Sequence, residues 1–284
     1  MKIAKQLRHL AARLAVALVI TIGSGTLAAQ PGRGPQAPQP TPQARAPIDL
    51  TGYWASVITE DWRWRMLTPP KGDFISVPLN AEGQRATMAW DLAKDIAAGN
   101  QCKPFGVGGI MRMPTRLHIT WQDPNTLKIE TDAGTQTRLL RFGKPEQTAG
   151  ERTWQGRSVA QWDFGTLVGH GPGPPEPGTR GSLKVTTTNM RAGYVRKNGV
   201  PYGEDAVITE YFERDSASSD GAQWFHVMTI VADPKYLTEP FVTDSFFKKE
   251  PDGSKWHPTG CEIAPPHAMT SPDAARGGQN EQGP

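Results

Sequence analysis

DLTGYWASVITEDWRWRM, residues Asp49–Met66, decides how the rest of the chain is read. The stretch opens on Gly52-Tyr53-Trp54 and closes on an aromatic and basic cluster, with nothing between them that favours a helix. The two-residue period of a strand puts Ser56, Ile58, Glu60, Trp62, Trp64 and Met66 on the face of Trp54. Tyr53, Ala55, Val57, Thr59, Asp61, Arg63 and Arg65 fall on the other. Aromatics on one face and paired charges on the other suit the wall of a closed barrel better than the edge of an open sheet. The stretch is therefore expected to be the first strand of a β-barrel.

Downstream, strands are expected at Ile110–Met113, Arg116–Gln122, Thr126–Asp132, Thr135–Phe142, Thr153–Phe164, Ser182–Met190, Ala206–Arg214, Gln223–Val231 and Phe241–Lys249. Asp123-Pro124-Asn125, Ala133-Gly134 and Asp220-Gly221 carry turn chemistry between them. Hairpin-length connections make sequence neighbours sheet neighbours. One segment breaks the rhythm: Asn80–Asn100 has Ala86, Ala89, Trp90, Ala93, Ile96 and Ala97 at helical spacing, an Asn at its start and Gly99-Asn100 at its end. A single helix cannot supply the crossovers of a parallel α/β fold. The fold class is mainly β: an antiparallel up-and-down β-barrel with one early amphipathic helix. The Gly/Pro-rich Gly165–Gly181 is too long for a hairpin and is expected to be a surface loop.

Gly52-Tyr53-Trp54 at the start of a first strand, followed by eight or more up-and-down strands, resembles the lipocalin-type (calycin) barrel and its G-x-W. That resemblance implies a lumen holding a small, mainly apolar ligand, with Trp54 as a plug at the closed end. The helix departs from it, coming early rather than after the barrel. The folded unit also resembles a group of exported bacterial proteins, which adds nothing about a ligand.

The ends of the 284-residue chain read differently from its middle. Residues 1–28 have a basic n-region, the apolar run Leu14–Ile22 and small residues at Thr26-Leu27-Ala28, the pattern of a signal peptide. The run is too short to span a bilayer, so no stable membrane insertion is expected. Removing Lys2, Lys5, Arg8 and Arg13 takes the formal charge from +3 to −1, which removes the electrostatic case for nucleic acid. Residues 29–47 read as a disordered Pro-rich linker, 48–263 as the barrel domain and 264–284 as a disordered tail. Export would place the protein in the periplasm or outside the cell, where Cys102 and Cys261, the only two cysteines, are expected to form a disulfide.

The chemistry-bearing candidates are scattered. Glu60, Asp61, Arg63 and Arg65 sit in the first stretch, and Arg112, Arg116, His118, Arg138, Glu210 and His226 lie on other expected strands. His118 and His226, the histidines inside strands, with Glu210 or Glu60 as orienting carboxylate, form the catalytic candidate set for proton abstraction in an isomerase or lyase. Trp62, Trp64, Trp121 and Trp224, with Arg116, are the candidate ligand contacts, because Trp offers a flat apolar face and Arg an anion partner. No H-x-H, HExxH, G-x-S-x-G or C-x-x-C-H occurs, so no metal or cofactor is expected. The reading is an exported barrel that binds a small, partly apolar ligand in its lumen. The alternatives are the metal-independent enzyme and a surface-interaction module with a filled core. Alternation in Arg116–Gln122 makes the choice testable: either Leu117, Ile119 and Trp121 line the lumen, or Arg116, His118 and Thr120 do.

Overall fold

The computed structural model describes residues 39–144, 150–164, 181–215 and 220–266. The strands are β1 (Gly52–Val57), β2 (Arg116–Asp123), β3 (Thr126–Thr131), β4 (Thr137–Phe142), β5 (Arg157–Asp163), β6 (Ser182–Thr188), β7 (Gly193–Arg196), β8 (Val200–Tyr202), β9 (Val207–Arg214), β10 (Trp224–Ala232) and β11 (Phe241–Glu250). Nine of them close a barrel in the order β1-β11-β10-β9-β6-β5-β4-β3-β2, and β2 pairs back to β1. The expected closed, mainly antiparallel barrel is present, with two modifications. β4 and β5 run parallel, Leu140 opposite Ser158. β7 and β8 form a separate hairpin outside the barrel, inserted between β6 and β9, which pair directly.

The long first strand is a correction. β1 ends at Val57, and Trp62–Arg65 is a single helical turn, α1. The break is at Asp61, whose φ of 53° is left-handed, a conformation that Asp tolerates better than most residues. Trp62 and Trp64 therefore do not share a strand face with Trp54. The single helix is also two, α2 (Ala81–Ala89) and α3 (Leu92–Ala97). Asn80 caps the first by accepting from the N–H groups of Glu82 and Gly83, and Asp91 starts the second by accepting from Lys94. Ile110–Arg112 is a 3₁₀ turn rather than a strand. Among the described residues no helix is long and apolar enough to cross a membrane.

The alternation in β2 resolves in favour of the apolar set. Leu117 and Ile119 are fully buried, whereas Arg116 and His118 lie on the outer wall in ion pairs. Buried side chains form two apolar clusters, the second shared between barrel strands and the β7–β8 hairpin. In the first, Trp54 meets Phe225 edge-on at 4.6 Å, Phe225 stacks on Phe247 at 4.9 Å, and the Trp54 indole N–H donates to the Leu50 carbonyl at 2.8 Å. The second gathers Val107, Val195, Val200, Tyr202, Ile208, Val231 and Phe241. On β9 and β10 a polar layer separates them: Glu210 lies between Ile208 and Phe212, and Thr229 between Val231 and Val227.

The C-terminal segment is fastened to the outside of the barrel. Trp256 lies edge-on to Tyr53 and His118 on the outer wall. Thr259 exchanges hydrogen bonds with Asp132 and Thr135 beyond the end of β3. The expected disulfide joins Cys261 to Cys102, between α3 and the start of β2.

Candidate functional site

The histidines lie apart from the carboxylates proposed to orient them. His118 stacks on Tyr53 with ring centres 4.2 Å apart, and its Nδ1 lies 3.3 Å from Glu130. Arg116 beside it donates to Glu250 at 3.0 Å. His226 faces outward, 3.1 Å from Asp215. Glu210 faces inward from the neighbouring strand and is held by Arg138, and Glu60 is held by Arg65 at the end of β1. Trp224 is half-buried on the outer wall with Lys248 over its ring. Trp121 stacks on Phe142 and lies tilted against Trp162, and Trp62 is exposed. Glu60 and Trp64, with Asp61, Arg63, Arg65 and Arg112, belong to a cluster of charges at one mouth of the barrel.

That cluster is assembled from three places in the chain. The left-handed turn at Asp61 swings α1 back over the barrel, which buries Arg65 to 1 % exposure. The Ile110–Arg112 turn supplies Arg112, and β7 with the turn after it supplies Arg196 and Lys197. Asn198 and Gly199 make that hairpin turn, Gly199 at φ +83° with Trp90 packed so closely that a Cβ would lie 2.1 Å from its ring. The Asn198 amide donates to the carbonyls of Pro70 and Asp73 at 2.8 and 2.9 Å, which ties the hairpin to the loop after α1.

Charges within the cluster do not balance. Arg65 donates to Glu60 at 2.5 Å and to the Arg112 carbonyl at 3.1 Å, and Arg112 donates to Asp61 at 2.9 Å. Arg63 and the Trp64 indole both donate to Asp73, at 2.9 and 3.1 Å. Burial alone would raise the Asp73 carboxyl, but these two donors and the Arg63 charge hold it below the usual range. Lys197 Nζ reaches only the Met66 carbonyl, at 3.1 Å. Arg196 lies over the Trp64 ring at 4.6 Å. Its Nε and Nη1, and Nη2 of Arg65, are buried without a hydrogen-bond partner among the described residues.

Five cations, Arg63, Arg65, Arg112, Arg196 and Lys197, thus face three carboxylates, Glu60, Asp61 and Asp73. Burial and then the neighbouring Arg112 push Arg65 and Arg196 down to about 10, and burial pushes Lys197 down to about 8. All three stay charged at neutral pH. Arg65, Arg112, Arg196, Lys197 and Trp64 line a crevice of about 10 Å³, room for about one water-sized atom. Each unsatisfied buried donor costs about 1–3 kcal/mol, more when charged, and an oxyanion accepting from these donors would recover it.

A second buried charge, inside the lumen, is arranged differently. Arg138 and Glu210 are each fully buried and joined by two parallel N–H···O bonds. Ser158 and Thr187 satisfy each other nearby at 2.8 Å. This pair closes on itself and offers one leftover donor, Arg138 Nε. A larger crevice of about 260 Å³ lies at the β10–β11 turn, lined by Asp233, Leu237 and Glu239 among others. Both Asp233 oxygens there accept from the backbone N–H groups of Gly203 and Lys235, so that carboxylate is already engaged by the protein.

Arg196 and Lys197 were missed in the sequence because the Gly193–Tyr202 hairpin was. Its signal is Asn198-Gly199 between two short apolar runs. Fold and site together define a closed β-barrel with an apolar interior and an unsaturated cationic crevice at one mouth. No family model matches the chain, and no curated protein matches it.

Proposed function

We propose that the protein binds a small ligand carrying an oxyanion, a carboxylate, sulfate or phosphate group, in the crevice of Arg65, Arg112, Arg196 and Lys197. The observation that carries the reading is the set of three buried guanidinium nitrogens with no hydrogen-bond partner among the described residues. Planar, weakly hydrated guanidinium groups suit such an anion. Trp64 at the crevice supplies an apolar face, in keeping with a partly apolar ligand. The unpartnered donors favour the rim as the ligand's place, whereas the inward positions of β1, β2, β9, β10 and β11 carry mainly apolar buried side chains. The enzyme alternative has no comparable support, since His118 and His226 face outward into ion pairs.

The test is thermal unfolding of the full chain titrated with inorganic phosphate, sulfate and acetate, with chloride at matched ionic strength as control. A ligand that binds only the folded state at a hundred times its Kd adds about 2.7 kcal/mol of stability. The reading requires a saturable oxyanion effect that Arg196→Met and Arg65→Met abolish. An effect no larger than that of chloride, or one that survives both substitutions, rejects it.

A further inference from the structure

The single turn α1 presents two unlike faces. Inward it gives Trp64 and Arg65 to the crevice; outward it gives Trp62 and Met66, 60 % and 52 % exposed. Leu67, Ile75 and Met88 are also exposed, so five of the eight large apolar side chains exposed among the described residues lie between positions 62 and 88. Isolated exposed apolar residues are ordinary, but a concentration beside a site is not.

Contacts tie the segments carrying Trp62, Met66, Ile75 and Met88 together, and Leu67 follows Met66 directly. Met66 N–H bonds to the Trp62 carbonyl one turn back, at 2.7 Å. Asp73, bound by Arg63 and Trp64, draws the segment carrying Ile75 against α1. Met88 packs on Gly72, its Sδ 2.6 Å from where a Cβ would stand. Arg63 and the exposed Lys71 add cations at the same face.

We propose that this face docks on a membrane surface bearing anionic lipid, one headgroup oxygen entering the crevice and Trp62, Met66, Leu67 and Ile75 entering the interfacial layer. The proposal rests on the oxyanion reading above and names the carrier of that anion. Two observations favour it over a free amphiphile. The crevice has room for one oxygen and none for an acyl chain. The apolar side chains project outward, so a lone chain lying on them would stay half in water, whereas a bilayer buries them. Interfacial Trp beside basic residues is the chemistry by which peripheral proteins read anionic bilayers.

The experiment is vesicle flotation of the full chain with phosphatidylcholine, with and without phosphatidylglycerol, run beside the phosphate titration. Binding is expected only to vesicles containing phosphatidylglycerol. The double substitution Trp62→Ser/Met66→Ser should weaken it about tenfold or more while keeping the phosphate effect on unfolding; Arg196→Met should lose both. A phosphate effect without vesicle binding by the parent overturns the membrane proposal and leaves the crevice reading standing. No phosphate effect at all overturns the crevice reading itself. Binding of a micellar or monomeric fatty-acid anion but not of vesicles overturns the membrane as carrier. A parent dimer that Trp62→Ser/Met66→Ser dissociates, with no vesicle binding, makes the face an interface between copies and equally overturns it.

Discussion

Arg138 in the lumen and Arg196 at the rim are both nearly inaccessible to water, and the difference lies in what surrounds them. Arg138 is matched by one carboxylate in a bidentate pair that spans the polar layer of the barrel. Among the described residues Arg196 has no carboxylate in contact, and it has two unpartnered guanidinium nitrogens and a Trp face. A buried charge that the protein itself saturates belongs to the architecture. One left unsaturated costs stability and is retained where something else completes it.

The largest effect is expected in the lumen. Arg138→Leu leaves Glu210 buried and unpaired and should cost about 3–5 kcal/mol in urea unfolding, whereas Arg138→Leu/Glu210→Leu should recover most of that loss. Equal losses in the single and double variants would mean that packing, not charge pairing, sets the cost.

Next comes the link that fastens the C-terminal segment. Cys102 and Cys261 are 159 residues apart, and breaking a bond that closes so long a loop should cost about 2–5 kcal/mol. Melting with and without reductant measures it. Two alkylatable cysteines in the native protein would contradict the bond.

At the rim the pattern reverses. Arg196→Met removes a poorly paired buried charge and one cation–π contact, so stability should change by less than about 1 kcal/mol while oxyanion binding disappears. A loss as large as that of Arg138→Leu would make Arg196 a structural residue like Arg138 and dissolve the contrast.

The smallest effect is one of pH. Lys197 is held at about 8 by burial, with Arg65, Arg112 and Arg196 on one side and Asp61 and Asp73 nearby. Oxyanion affinity should fall as pH rises through about 8. Because the folded pKa lies below the unfolded one, the unfolded state holds more protons between them. The ligand-free protein should therefore gain stability from pH 8 towards 10.5. Lys197→Met should flatten both profiles, and profiles unchanged by it would remove Lys197 from the site.

The barrel was legible because strand alternation is a local signal. Leu117 and Ile119 opposite Arg116 and His118, and Trp54 two residues into β1, appear in the structure as the pattern reads. The breaks were not legible, because one residue makes each of them. Asp61 ends an alternating run that would otherwise continue through Trp62 and Trp64, and Asp91 restarts a helix inside one continuous apolar spacing. The site depends on those breaks and on a hairpin between two barrel strands. Its arginines are separated by up to 131 residues in sequence, from Arg65 to Arg196, and no period connects them. Arg65 was read onto a strand face when it belongs to a helical turn.

Oxyanion binding at the rim depends most directly on the Arg196 side chain, and the arginine Nε–H resonances in ¹⁵N-correlated NMR report on it. With inorganic phosphate titrated against chloride at constant ionic strength, the Arg196 Nε–H signal should shift saturably, because that donor lacks a partner, while Arg138 stays still. An unmoved Arg196, or arginine signals that all drift together with salt, would contradict the claim that the rim crevice receives an oxyanion.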